Sequence, residues 1–179
     1  MRRILAGLLL LASPLAAQQP TPAAAPAAPA ARPEDVASID AIMKATYDVI
    51  SGPAGPRDWD RFRSLFAPDA RLIPTACPRD QACRPRTLTV EDYIKSGGAY
   101  FLQNPFYEVE SHRVEERYGH VAHVFSTYES RKAPGEEPFT RGINSFQLFW
   151  DGSRWWVVSI FWNNESSAGP IPAQYLPKK

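Results

Sequence analysis

Phe146-Gln-Leu-Phe-Trp-Asp-Gly-Ser-Arg-Trp-Trp-Val-Val-Ser-Ile-Phe-Trp162 is the stretch that decides the fold. Aromatic and β-branched residues flank Asp151-Gly152, a turn-forming dipeptide, so the segment predicts a β-hairpin. A loop of odd length would set Leu148 opposite Trp156 and Phe146 opposite Val158. One face then carries Asn144, Phe146, Leu148, Trp156, Val158, Ile160 and Trp162. The other holds Phe149, Trp155, Val157 and Phe161 among Ser145, Gln147 and Ser159, too apolar for open water. Two apolar faces require two covers. Upstream helices supply one, and a second copy of the chain is expected on the other.

Working outward, residues 106–118, 120–132, 139–150 and 154–163 read as four strands, separated by Tyr118-Gly119, Ala133-Pro-Gly135 and Asp151-Gly152. Connections this short make neighbours antiparallel. Before them, Val36, Ile39, Ile42, Met43, Tyr47 and Ile50 fall on a helical period across 34–51. A shorter helix follows, with Asp58 as its cap, Trp59, Phe62, Leu65 and Phe66 as its stripe, and Pro68 as its stop. Arg71–Pro74 reads as a short strand. Thr89-Val-Glu-Asp92 fits a capping box opening a third helix through Tyr93, Ile94, Tyr100 and Leu102, despite Gly97-Gly98. Three helices followed by a meander is an α+β order.

The chain opens with Met1-Arg-Arg, an apolar run from Ile4 to Leu11 and a small-residue segment ending at Ala17, which is the pattern of a secretory signal peptide. Cleavage is expected after Ala17, leaving no membrane span. Residues 18–33 are nearly all Ala, Pro, Gln and Thr, and read as an unpacked linker. Residues 34–179 then form one domain, periplasmic or secreted. Of the 20 basic side chains two lie in the leader, so the mature chain with its 19 acidic groups is close to neutral. A nucleic-acid partner is excluded by that balance, and Arg79, Arg84 and Arg86 sit in a proline-broken loop without interleaved aromatics. Cys77 and Cys83 are expected to form a disulfide, the default for two thiols in an exported chain.

The order of elements, together with Trp59-Asp-Arg-Phe-Arg-Ser-Leu-Phe-Ala-Pro-Asp-Ala70 and Asp151-Gly-Ser-Arg-Trp-Trp156, resembles the NTF2-like (SnoaL-like) superfamily. The likeness spans roughly residues 35–165. Arg141-Gly-Ile-Asn-Ser145 and Pro170-Ile-Pro-Ala-Gln-Tyr-Leu176 resemble an uncharacterised exported bacterial branch of it. The resemblance implies a cone, with helices packed on a curved, mainly antiparallel sheet around a pocket, and dimerisation through the outer sheet face. It implies no single activity, because the fold hosts isomerases, dehydratases and non-catalytic binders. In the ketosteroid-isomerase branch a carboxylate base sits on the strand after the second helix. Here that strand reads Leu72-Ile73-Pro74, so the base is missing where the resemblance places it.

Candidates for the pocket are Tyr47, Tyr93 and Tyr128 for their hydroxyls, Trp59 and Trp162 for aromatic wall, and Asn144, Arg141 and Glu165 for polar contacts. Asn144 stands out because an amide among Phe146, Leu148 and Ile160 must find a partner. His112 and His123 are placed to face one another across the first hairpin, where a pair would suit metal or proton transfer. No cofactor is implied. Three readings follow: an aromatic-lined pocket binding a small hydrophobic molecule; an isomerase or dehydratase acting on a carbonyl compound through Tyr47, Tyr93, Asn144 or a histidine; and a non-catalytic interaction module.

Overall fold

The computed structural model describes residues 29–178. The predicted leader, 1–17, and linker residues 18–28 lie outside the described residues. Two helices replace the first predicted one: α1 (Pro33–Val36) and α2 (Ile39–Ile50). Ser38 causes the break, since its side chain accepts the Ala41 amide at 3.1 Å and caps a new start. Asp58 caps α3 (Trp59–Leu65) as its position predicts, accepting the Arg61 amide at 2.9 Å. The chain leaves α3 without a loop and enters β1 (Phe66–Ala76), longer than the expected 71–74.

A disulfide joins Cys77 to Cys83 ahead of β2 (Arg84–Pro85), which pairs antiparallel with the end of β1. The capping box of α4 (Val90–Gln103) is formed by Thr89 and Asp92. Of its paired glycines, Gly97 is the tighter: a Cβ there would lie 3.3 Å from the Phe101 ring, closer than side chains usually pack, whereas one on Gly98 would meet the Trp59 ring at an ordinary 3.4 Å.

The meander comprises β3 (Tyr107–Tyr118), β4 (Val121–Arg131), β5 (Thr140–Trp150) and β6 (Trp155–Asn164). Strand order is β2-β1-β6-β5-β4-β3, with β1 parallel to β6 and every other pair antiparallel. The helices cover the inner face. Phe62, Phe66, Phe146, Ile42, Met43 and Leu65 are fully buried there, each stabilising the fold by about 1.5–3 kcal/mol relative to exposure.

In the deciding hairpin the loop is even, not odd. Asp151 Oδ1 accepts both the Ser153 and Arg154 amides, and Asp151 N–H donates to Arg154 O, closing a four-residue turn. Trp150 therefore pairs with Trp155, and Leu148 with Val157. A bulge at Val158 then shifts the register by one, so Phe146 meets Ile160 and Asn144 meets Trp162. Trp155 and Val157 are buried inward, contrary to the alternation expected from the sequence, while Val158 is exposed.

The first hairpin also departs from expectation. A register shift between Glu110 and His112 puts His112 opposite Thr127 and His123 opposite Glu116, so the two histidines do not face each other. The outer sheet face has a partial cover from within the chain. Beyond α5 (Glu165–Ala168), a segment with a 3-10 turn at Ala173–Tyr175 folds back so that Tyr175 packs on Phe125 at 4.9 Å and its carbonyl accepts from Thr127 Oγ1 at 2.6 Å. Val121, Phe149, Val158 and Phe161 remain exposed on the same chain. No helix among the described residues is long and apolar enough to cross a membrane.

Candidate functional site

Between the helices and the inner sheet face lies a cavity of about 210 Å³. An apolar cavity of about 150 Å³ accommodates a benzene ring, so this one has the size for a monocyclic ligand. Its apolar wall includes Ile50, Phe62, Leu72, Phe106, Phe146, Ile160 and Trp162. The polar groups come from several elements. Tyr47 is on α2, Tyr93 on α4, Glu108 on β3, Tyr128 and Ser130 on β4, and Asn144 on β5, with Asn164 at the end of β6.

Two-residue spacing along the strands explains the assembly. Ser126, Tyr128 and Ser130 alternate inward on β4, as do Gly142, Asn144 and Phe146 on β5. On β3 the usual polarity is inverted. Val109 is 47% exposed while Glu108 and Glu110 are partly withdrawn from solvent and turn toward the β4 hydroxyls. Ser130 Oγ donates to Glu108 Oε2 at 2.7 Å, and Ser126 Oγ donates to Glu110 Oε2. The backbone of Glu108 is fixed as well, because its N–H donates to Ser51 Oγ at 2.9 Å, at the end of α2.

Burial pushes the Glu108 carboxyl up to about 7, against smaller opposing effects of hydrogen bonds from Ser130 and Asn144. A carboxyl in that range exchanges protons at neutral pH, which is the requirement for general acid–base work. Glu110 is raised by burial too, with its bond from Ser126 acting the other way. Burial and then the field of Glu108 raise the phenols of Tyr47, Tyr93 and Tyr128, so all three are neutral hydrogen-bonding groups.

The phenols differ in what they have left to offer. Tyr47 Oη lies 2.7 Å from Ser126 Oγ and accepts from Asn144 Nδ2 at 3.1 Å. Tyr128 donates to Asn164 Oδ1 and packs over Gly142, where a Cβ would lie 2.6 Å from its hydroxyl. In Tyr93 the hydroxyl makes no hydrogen bond to a described residue, and among these residues no buried side-chain polar atom lacks a partner. Its hydroxyl therefore keeps some accessible surface, and the residue lines the cavity.

Of the residues nominated from the sequence, Tyr47, Tyr93, Tyr128, Asn144 and Trp162 come together around this space. Trp59 does not. It stacks on Phe101 at 6.1 Å and meets Phe62 edge-on at 5.6 Å, behind the cavity wall. Arg141 and Glu165 also stand apart, joined by two bonds of 2.9 Å, with Glu165 Oε1 taking the Ile171 amide. That pair holds α5 and the C-terminal segment to β5.

Glu108, Glu110, Ser126, Ser130 and Asn164 are cavity or network residues that the sequence alone does not single out. The carboxylate missing from Leu72–Pro74 has a counterpart on β3, where Glu108 lines the cavity. A signal for it exists in Tyr107-Glu-Val-Glu110, where acids alternate with valine and Glu108 and Glu110 lie opposite Ser130 and Tyr128. Among the described residues no group of three or more His, Cys, Asp or Glu is placed to hold a metal ion.

No family model matches the sequence, and no curated protein does. Solved structures do resemble the fold. A protein from Silicibacter pomeroyi, described as NTF2-like and of unknown function, aligns with a TM-score of 0.50 at 12% identity over 72% of this chain and 93% of its own. A protein of unknown function from Nostoc punctiforme, described as having a cystatin-like fold, aligns with a TM-score of 0.55 at 10% identity over 73% of this chain and 91% of its own. At such identities the likeness carries architecture and no activity. With its helices packed on a six-stranded mixed sheet around a cavity, this chain has the NTF2-like fold.

Proposed function

We propose that the cavity binds a small, mostly apolar molecule bearing an oxygen function, and that Glu108 moves a proton between it and the protein, in chemistry of the isomerase or dehydratase type. The observation that carries this reading is a carboxyl raised to about 7 in an aromatic cavity beside phenols and an amide. Glu108 exchanges the proton, Tyr93 donates to the ligand oxygen, and Phe146, Ile160 and Trp162 hold the carbon skeleton. General acid–base groups of this kind contribute roughly 10²–10⁴ in rate.

A direct test follows α-proton exchange of cyclohexanone in deuterated buffer by NMR. The purified protein is expected to accelerate exchange, and Glu108→Gln to return it to the buffer rate. Acceleration that survives Glu108→Gln refutes the assignment. Binding without turnover, the simpler function, would appear as tryptophan fluorescence changes with no exchange.

Two further properties belong to this proposal. Export is supported by the Cys77–Cys83 disulfide, and is tested by finding a secreted chain that begins at Gln18. Homodimerisation through the outer sheet face is supported by exposed Val121, Phe149, Val158 and Phe161. A protein that sediments as a monomer at micromolar concentration contradicts it.

A further inference from the structure

Tyr47, Ser126 and Glu110 form an unbroken file of hydroxyls from the cavity to a carboxylate. With Glu110 ionised, Ser126 gives its one proton to Glu110 Oε2. The 2.7 Å contact between Tyr47 Oη and Ser126 Oγ must then be donated by the phenol. Tyr47 also has only one proton, so nothing remains for it to donate to a ligand. Tyr47 lines the cavity, and any contact its oxygen makes there is made as an acceptor, beside the bond it already accepts from Asn144 at 3.1 Å. Ser126 is fully buried, and with Tyr47 bound to it no water is needed to complete the file.

Resting on the proton-transfer reading above, we propose that the cavity takes ligands through a hydroxyl group, an alcohol or enol, whose O–H is received by Tyr47, and that Ser126 and Glu110 are the positioning residues that make Tyr47 an acceptor. This reverses the role that a lone tyrosine suggests from sequence, that of polarising a carbonyl. A hydroxyl satisfies both sides of the site, donating to Tyr47 and accepting from Tyr93. A ketone satisfies only Tyr93.

The same file can carry a proton outward. The ligand O–H breaks as its proton joins Tyr47 Oη, the phenol proton passes to Ser126 Oγ, and the serine proton forms an O–H on Glu110. At the other end Glu108, when protonated, delivers its proton to carbon, so an enol becomes a ketone with each proton accounted for. No charge has to rest on Tyr47. Around Glu110 stand Arg113 at 3.6 Å and Glu115 on its own strand, Glu108 two residues earlier, and Asp40 of α2, which is bonded to Arg113.

The test compares cyclohexanol with cyclohexanone, rings of matched shape, by tryptophan fluorescence or ligand-observed NMR. Wild-type protein is expected to favour the alcohol about tenfold, the worth of one well-made hydrogen bond. In Ser126→Ala the Tyr47 proton loses its acceptor and turns to the cavity, so the preference should collapse or invert. A merely structural role for Ser126 would weaken both ligands and leave their ratio alone, and that outcome overturns the proposal. If neither ring binds, the binding reading falls, and the relay is judged separately by carbon-13 carboxyl NMR. Tyr47→Phe, which removes no contact of Glu110 itself, should raise the Glu110 titration by weakening the Ser126 donor; an unmoved titration refutes the relay.

Discussion

Ser51 Oγ receives the backbone N–H of Glu108 at 2.9 Å. The residue that ends α2 thereby sets the height of the cavity carboxylate on β3. The same hydroxyl donates to Tyr47 O at 2.8 Å, so helix end and strand start are held by one side chain. Gly52 and Phe106 extend the join with a two-way backbone bridge. Ser51→Ala should cost about 1 kcal/mol in urea unfolding and lower proton exchange by displacing Glu108. Ser51→Thr should restore both, and an alanine substitution with wild-type stability and exchange would disprove the coupling.

Stability should fall as pH rises through the range where Glu108 ionises late. The unfolded carboxyl loses its proton near 4.5, whereas in the fold it does so near 7. Below 4.5 both states are protonated and burial of the neutral acid carries no ionic penalty. Between 4.5 and 7 the unfolded state alone gains the freedom to ionise, and above that window the full cost is present, at most about 3 kcal/mol. Glu108→Gln should therefore flatten thermal stability across this window and exceed wild type at about pH 8. If Glu108→Gln tracks wild type across the whole range, the carboxyl is unperturbed.

Gly142 is the position at which a methyl group cannot be tolerated. An added Cβ would lie 2.3 Å from Asn163 O and 2.6 Å from Tyr128 Oη. The first contact is with backbone of the adjacent strand, which cannot swing away. Gly142→Ala should cost about 1–3 kcal/mol or more and break the bond between Tyr128 and Asn164. Chemical denaturation together with the loss of cyclohexanol binding would report both effects, and a neutral substitution would contradict the packing described.

Arg61 and Asp35 tie α1 to α3 through two bonds of 2.7 Å, with the Asp35 side chain only 8% exposed. Arg61, as hydrogen-bond donor and cation, holds the Asp35 carboxyl below the ordinary carboxylate range. Arg61→Ala strands that charge and should destabilise by about 3–5 kcal/mol. The pair's contribution is present above about pH 4 and disappears as acid protonates Asp35 through its lowered titration. Equal unfolding midpoints for Arg61→Ala and wild type at neutral pH would show the pair to be inert.

Much of the architecture is legible in local chemistry. Turn dipeptides bound the meander strands to within a residue or so, and the Asp58 and Thr89 caps open helices where their side chains demand. What hides is whatever depends on a count of one. Ser38 splits a helix because its hydroxyl outcompetes the period around it. The bulge at Val158 and the register shift at Ser111 move neighbouring side chains across the sheet without changing any residue's propensity. Tyr47, Tyr93 and Asn144 could be nominated because polar groups amid apolar ones need partners. Glu108 could not be found by the same rule, since on a strand rich in charge an inward glutamate looks like an ordinary solvated one until β4 is laid beside it.

The extra residue at Val158 acts as a spatial reading frame for everything after it. Because β6 is out of step by one, Trp162 opens on the cavity and Phe161 on the outside. Deleting that single residue would exchange the two aromatics' addresses while leaving composition almost untouched. Ligand pocket and outer surface are thus edited together by one insertion, and a chain of this architecture can trade one for the other without mutating either.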